Sequence, residues 1–268
     1  MTALMKKRSL TFAIVCASNV LSYAGPAGFS GKEMKQVAPA PAPSCFNWTG
    51  FYTGVVGGYK FSNVDVDLNL GGFWNGFPGA KPLVESRGSE DLDNDGAELG
   101  GLIGYNYQWN CWVLGVEADG GYLWARESND TGVFLTPDTL DKRVHSSFKA
   151  HYLMTFAPRF GYAFGRYLPY VTGGLAVGDL DFFQEIRTPQ TGFHQTARTT
   201  DTNAGWMVGG GLQYALTEHW SVRAQYQYID LGDVAFDSHG TPPFQTAIGH
   251  HEAELTEHNA SFAIMFKF

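Results

Sequence analysis

Four groups of residues carry side chains whose types and spacing could do chemistry. The first is Glu98, Glu117, Asp119, Arg159, Arg223, Gln225 and Glu257, polar groups on the parity opposite to large apolar residues. Opposite charges confined in a narrow, low-dielectric space must pair, because an unpaired buried charge costs several kcal/mol. The second is Asp91-Leu-Asp93-Asn-Asp95-Gly96, which matches the opening of an EF-hand calcium loop, although Leu102 stands where its closing Glu belongs. The third is His239, His250, His251 and Glu252, with His194 elsewhere, a set that could ligate a transition metal or haem iron. It lacks the i, i+4 spacing of a helical zinc site, since Leu255 occupies the position of the second His. The fourth is His145 with Ser147, a base and a hydroxyl for which no orienting third group is identifiable. No catalytic, cofactor-binding or metal-ligating residue is therefore assigned, no enzyme activity is expected, and no cofactor is called for.

The elements that must position these groups follow from composition and order. The chain of 268 residues is 44% hydrophobic and 15% aromatic, with 33 glycines and only 16% charged residues, a balance outside that of ordinary soluble domains. A net charge of -8 speaks against a nucleic-acid partner, which needs a basic face. Lys6, Lys7 and Arg8 precede an apolar stretch and a small-residue site at Ser22-Tyr23-Ala24, the layout of a secretory signal peptide over residues 1–24. Its removal leaves 15 Lys and Arg against 26 Asp and Glu, a net charge of -11. Residues 25–47 are rich in Gly, Ala and alternating Pro and read as an extended periplasmic linker. The folded domain is expected over residues 48–268.

Within that domain apolar residues recur with period two, the signature of strands. Eight segments do so: 48–61, 96–109, 112–124, 149–164, 168–178, 203–214, 220–231 and 255–268. In the third, Leu114, Val116, Ala118, Tyr122 and Trp124 oppose Gly115, Glu117, Asp119 and Gly121. Short turns alternate with long connections at 62–95, 126–147, 179–201 and 232–253, which are expected to be loops. Short turns at one end and long loops at the other are the pattern of an outer-membrane barrel. The non-apolar parity is mostly small, with few charges; it makes a poor solvent surface and a good lining for a narrow lumen. The fold class expected is thus all-β, an eight-stranded antiparallel up-and-down transmembrane β-barrel. Its aromatic parity faces lipid, and its polar set forms a network in the lumen. Cys45 and Cys111 both fall at the periplasmic end of the first hairpin, where an oxidising compartment favours a disulfide; the alternative is two separate thiols.

Several stretches resemble the alpha-proteobacterial outer-membrane surface-antigen and porin-family barrels, themselves similar to OmpA-type and opacity-protein barrels. They include Trp48-Thr-Gly-Phe51-Tyr, Gly101-Leu-Ile-Gly-Tyr105-Asn-Tyr-Gln108 and Val113-Leu-Gly-Val-Glu117-Ala-Asp119. Arg159-Phe-Gly-Tyr-Ala163-Phe, Leu168-Pro-Tyr-Val-Thr-Gly-Gly-Leu175-Ala and Trp220-Ser-Val-Arg223-Ala-Gln-Tyr226 continue the likeness through to Phe268. The closing Phe262, Phe266 and terminal Phe268 resemble the C-terminal signal read by the barrel-insertion machinery. The resemblance implies a barrel in the outer membrane of a Gram-negative bacterium, in contact with lipid and lipopolysaccharide, with an extracellular ligand possible at the loops. It carries no activity motif, so function does not transfer with the fold. The expected role is structural and surface-exposed, with a narrow or plugged lumen. The alternatives are porin-like passage of small solutes, haemin binding, and adhesion to host surfaces.

Overall fold

Residues that alternate between a large apolar side chain and a small or polar one cannot bury a helical stripe, but they suit a sheet with two unlike faces. The computed structural model describes residues 45–268, apart from Asn94, Asp138 and Thr139 and the side chains of residues 90–93, 125–127 and 180. The strands are β1 (Gly50–Gly72), β2 (Glu90–Asp93), β3 (Gly96–Trp109), β4 (Trp112–Asp130), β5 (Phe134–Leu135), β6 (Asp141–Tyr162), β7 (Tyr167–Thr188), β8 (Phe193–Ala215), β9 (Trp220–Gly240) and β10 (Ala247–Lys267). A 3-10 turn (Phe73–Gly76) and the helix α1 (Lys81–Gly88) lie between β1 and β2. Eight long antiparallel strands pair in the order β1-β3-β4-β6-β7-β8-β9-β10, and β10 pairs back onto β1 over Tyr52↔Lys267 to Gly72↔Ala247. The ring is closed, so the long strands leave no free edge except along one gap between β8 and β9. The signal-peptide reading and most of the linker reading lie outside the described residues.

In the half of the barrel nearest the chain ends, the outward face is apolar. Val55, Leu99, Ile103, Leu114, Val116, Phe156, Val171, Leu175, Val208 and Ile264 are exposed there. Two aromatic belts bound this band. One holds Phe51, Tyr107, Trp109, Trp112, Tyr167 and Trp220 beside the short turns, and the other Tyr59, Tyr122, Trp124 and Trp206. Large exposed apolar side chains in such a band belong in hydrocarbon, and aromatic rings at its margins belong at headgroup level.

Beyond the second belt the structure departs from the expected loops. The long strands run 14 to 23 residues, because the period of two continues through most of the four long connections. What changes is the sense of the alternation. On β1 the inward side chains above Ser62 are Val64, Val66, Leu68 and Leu70, whereas Asn63, Asp65, Asp67 and Asn69 are exposed. The lower half is thus apolar outside, with polar groups beside a small apolar cluster of Val56, Leu102, Ala263 and Met265 within; the upper half is a water-facing collar whose filling is mainly apolar. An all-lipid reading of the apolar parity therefore holds only for the lower half. Water replaces hydrocarbon as the outer solvent, so the side chains must exchange faces while the backbone carries on.

The collar is filled by Val64, Val66, Leu123, Phe148, Leu153, Phe182, Ile229, Leu231 and Leu255. At roughly 1.5–3 kcal/mol for each large apolar side chain buried, this layer is a sufficient reason for the strands to continue beyond the membrane. Above it, α1 and the 3-10 turn fold over the mouth. Leu70 N–H donates to Glu85 Oε1 at 2.8 Å, and Gln184 Nε2 donates to the Gly88 carbonyl at 3.0 Å.

The wall is interrupted once at length. Pairing of β8 with β9 stops at Thr196↔His239 and resumes at Trp206↔Asp230. β9 bends there at Gly232, whose φ of 71° suits glycine, and the Asp230 carboxylate accepts the Gly232 N–H at 2.9 Å.

Candidate functional site

The polar lumen of the lower half is the candidate site, and it is built from inward positions of all eight long strands. Glu117 on β4 is its centre. Its carboxylate accepts hydrogen bonds from Arg223 Nη1 at 2.6 and 2.7 Å, from Arg159 Nη1 at 3.2 Å and from the Tyr52 hydroxyl at 2.7 Å. Arg159 also donates to Gln213 Oε1 at 2.9 Å and lies over the Tyr170 ring at 4.0 Å. The Tyr170 hydroxyl in turn donates to Gln225 Oε1 at 2.5 Å. Both guanidinium residues are only 2% exposed. Two cations around one carboxylate, with amides and phenols taking the remaining positions, tie β1, β4, β6, β7, β8 and β9 together across the bore.

A second cluster sits on the β1–β3–β10 side. Lys60 Nζ lies 3.5 Å from Glu257 and 3.8 Å from Glu98, and Asn259 Nδ2 donates to Glu98 Oε2 at 2.9 Å and to Gln227 Oε1 at 3.3 Å. Asp119 stands two residues along β4 from Glu117, and its carboxylate is hydrogen-bonded by the Thr155 side chain. The structure thus places Glu98, Glu117, Asp119, Arg159, Arg223, Gln225 and Glu257 all on the lumen side, but in two clusters rather than one.

Lys60, Tyr52, Tyr170, Gln213 and Asn259 complete these clusters and were not singled out from the sequence. The available signal was parity: Tyr52 and Lys60 share the parity of Gly54 and Gly58, and Tyr170 that of Thr172. Lumen glycines make room for the rings. A methyl on Gly104 would overlap the Tyr52 hydroxyl, and one on Gly211 would meet the Tyr170 hydroxyl.

Below the charged layer the barrel is stopped by Trp48, Val113, Ala163, Leu168 and Ala215, with Cys45 and Phe46 packed against them. Cys45 and Cys111 are joined as a disulfide with a Cα–Cα distance of 5.7 Å, and Phe46 N–H donates to the Gly165 carbonyl at 3.0 Å. Residues 45–47, read from the sequence as the end of the linker, are therefore folded into the closed end of the barrel. On the last strand Phe262 and Phe268 are exposed on the lipid face, and Phe266 is half-buried between His219 and Trp220.

The other candidate groups are dispersed. His250 and His251 sit on opposite faces of β10: His250 points outward to Asp237 at 2.5 Å, and His251 is buried against Ser238 at 2.9 Å. Neighbours on a strand face opposite ways, so this pair cannot close on one metal or haem iron. Burial pushes the His251 imidazole down to about 4, so it is neutral at pH 7. His194 pairs instead with Glu185. His145 and Ser147 share the outer face of the collar, where His145 lies 3.9 Å from Asp130; the Arg143 hydrogen bond holds that Asp130 carboxyl down to about 2. Most of the calcium-like segment has side chains outside the described set, and Leu102 is buried in the β3 wall. Among the described residues no three His, Cys, Asp or Glu side chains converge as a metal site.

Known proteins resemble this chain over most of its length. The 25 kDa outer-membrane immunogenic protein of Brucella abortus is 26% identical over 238 residues, covering 87% of this chain and 91% of that protein. The 31 kDa outer-membrane immunogenic protein of Brucella melitensis is 31% identical over 206 residues, covering 73% of this chain and 76% of that one. Among solved structures, the outer membrane protein OprG from Pseudomonas aeruginosa aligns with 82% of this chain and 96% of its own, at 12% identity and a TM-score of 0.43. These relatives place the protein in the outer membrane of a Gram-negative bacterium. The profile of the outer membrane protein beta-barrel domain matches residues 37–268, and the chain belongs to that family.

Proposed function

We propose that the protein is a structural, surface-exposed component of the outer membrane whose lumen is closed. The observation that carries this reading is the stacking of unlike layers along one bore. A disulfide-held aromatic stopper, a paired charge layer centred on Glu117 and an apolar cluster in the collar follow one another. An eight-stranded barrel has an interior just wide enough for side chains to fill, and here each layer is supplied with them. An ion crossing it would have to displace two buried guanidinium groups and then enter an apolar layer without hydration.

On this reading residues 1–24 direct export, residues 25–44 tether the barrel on the periplasmic side, and the face bearing Phe262, Phe266 and Phe268 engages the insertion machinery. The collar stands among the sugars and phosphates of lipopolysaccharide and presents acidic side chains such as Asp65, Asp67, Glu252 and Glu254 to the exterior. The role is then mechanical and antigen-like, in keeping with the names of the Brucella relatives.

Planar-bilayer recording tests it. The purified chain should give no steady unitary current, and Arg159→Ala should add at most brief openings, since the stopper and the collar remain. Large, steady unitary currents from the unmodified protein would overturn the closed lumen and favour passage of small solutes.

A further inference from the structure

Above the collar, at the exterior mouth, lies a cavity of about 250 Å³ that the closed lumen does not explain. Its lining comes from four separate connections. Phe73, Trp74 and Phe77 follow β1, Leu140 and Lys142 open β6, Thr188, Thr191 and Phe193 surround the β7–β8 turn, and Phe244 lies between β9 and β10. The rings are mutually ordered: Phe73 stacks on Phe193 at 5.6 Å, and Phe244 meets both of them at 5.5 and 5.2 Å. Trp74 forms the floor, pinned by its Nε1–H to Gln195 Oε1 at 2.9 Å. Three of these rings, Phe73, Phe77 and Phe244, remain only partly buried although they pack on one another. They border a space instead of filling it.

Packed interiors leave few voids larger than a water molecule. Water itself is a poor occupant here, because each molecule wants two to four polar partners and the walls are nearly all carbon. An apolar cavity of about 150 Å³ takes one benzene ring, so this one has room for roughly ten heavy atoms. The hydroxyls of Thr188 and Thr191 and the Lys142 ammonium, which donates to Thr136 Oγ1 at 2.8 Å, lie at its border and suit a single polar substituent. We infer that the mouth chamber binds a small, uncharged aromatic molecule of one or two fused rings, taken from the exterior. The apolar layer and the charged layer beneath it mean that the ligand is held rather than passed through.

The test uses the full chain in lipid nanodiscs, with empty nanodiscs as the reference for partitioning, and indole as the probe. Titration followed by ligand-detected NMR should show saturable binding above the empty discs. Thr191→Trp and Leu140→Trp each place an indole in the chamber and should weaken binding at least tenfold. Phe160→Trp, on the lipid face, should leave it within twofold. Independently of any variant, intermolecular NOEs on the unmodified protein should connect indole to the rings of Phe193 and Phe244. Absence of saturable binding, equal affinity in both filled variants, or NOEs confined to the lipid chains would each overturn the assignment.

Discussion

Removing the Glu117 carboxylate is the most incisive perturbation of the lumen. At an effective dielectric of about 20, two unit charges 4 Å apart attract by about 4 kcal/mol. Glu117 serves two such cations, and desolvation of all three groups offsets part of the gain. The two cations do not depend on it equally. Arg159 keeps Gln213 and the face of Tyr170, whereas both described hydrogen bonds of Arg223 end on Glu117. Glu117→Gln should therefore destabilise the barrel by about 3–5 kcal/mol, the usual cost of stranding a buried charge. Replacing both partners, Glu117→Leu with Arg223→Met, should cost at least 2 kcal/mol less than the sum of the two single changes. Reversible urea unfolding in small vesicles, read by tryptophan emission, supplies all four corners of the cycle. A Glu117→Gln cost under about 1 kcal/mol, or additivity within about 0.5 kcal/mol, would refute the view that this layer is a paired network.

Two further perturbations probe the collar. Val66→Asp buries a carboxylate in its apolar filling and should destabilise it by about 3 kcal/mol or more, whereas Asp67→Ser, one residue on and facing water, should change stability by under 0.5 kcal/mol. Amide exchange of β1 and β10 above the aromatic belt checks this, and equal effects would mean the segment is a loop. His251 predicts a pH dependence whose sign follows from burial. With a folded value of about 4 and an unfolded one near 6.5, the unfolded chain binds more protons between those limits. Collar stability is then full above pH 6.5 and falls by about 3 kcal/mol as the pH drops to 4. His251→Leu should flatten that part of the exchange profile, and an unchanged slope would discredit the assignment.

The lower barrel was legible in the sequence because one rule governs it throughout: a large apolar residue on one parity, a small or ionised one on the other. Glu117 and Arg159 stood out as charges on a glycine parity. Lys60 obeys the same rule beside Gly58, at the point where the composition of the segment turns polar. Tyr52 and Tyr170 were hidden by type, since an aromatic ring in such a chain is read as lipid-facing until its parity is checked. The collar was missed for a deeper reason. Residues 63–70 alternate as strictly as residues 51–61, but the apolar members have moved to the other parity, so a single-face rule sees the pattern end. The mouth chamber was beyond reach altogether: its walls come from connections that only the closed ring brings within contact.

The long interruption between β8 and β9 has a consequence for where the bilayer must end. Peptide groups deprived of strand partners are tolerable in water, which can serve them, and cost several kcal/mol each in hydrocarbon. Pairing resumes at Trp206↔Asp230, and the Trp206 ring lies 5.5 Å from Tyr228. The backbone thus acts as a depth gauge that owes nothing to side-chain hydropathy: the lipid tails can rise to the level of Trp206 and no further.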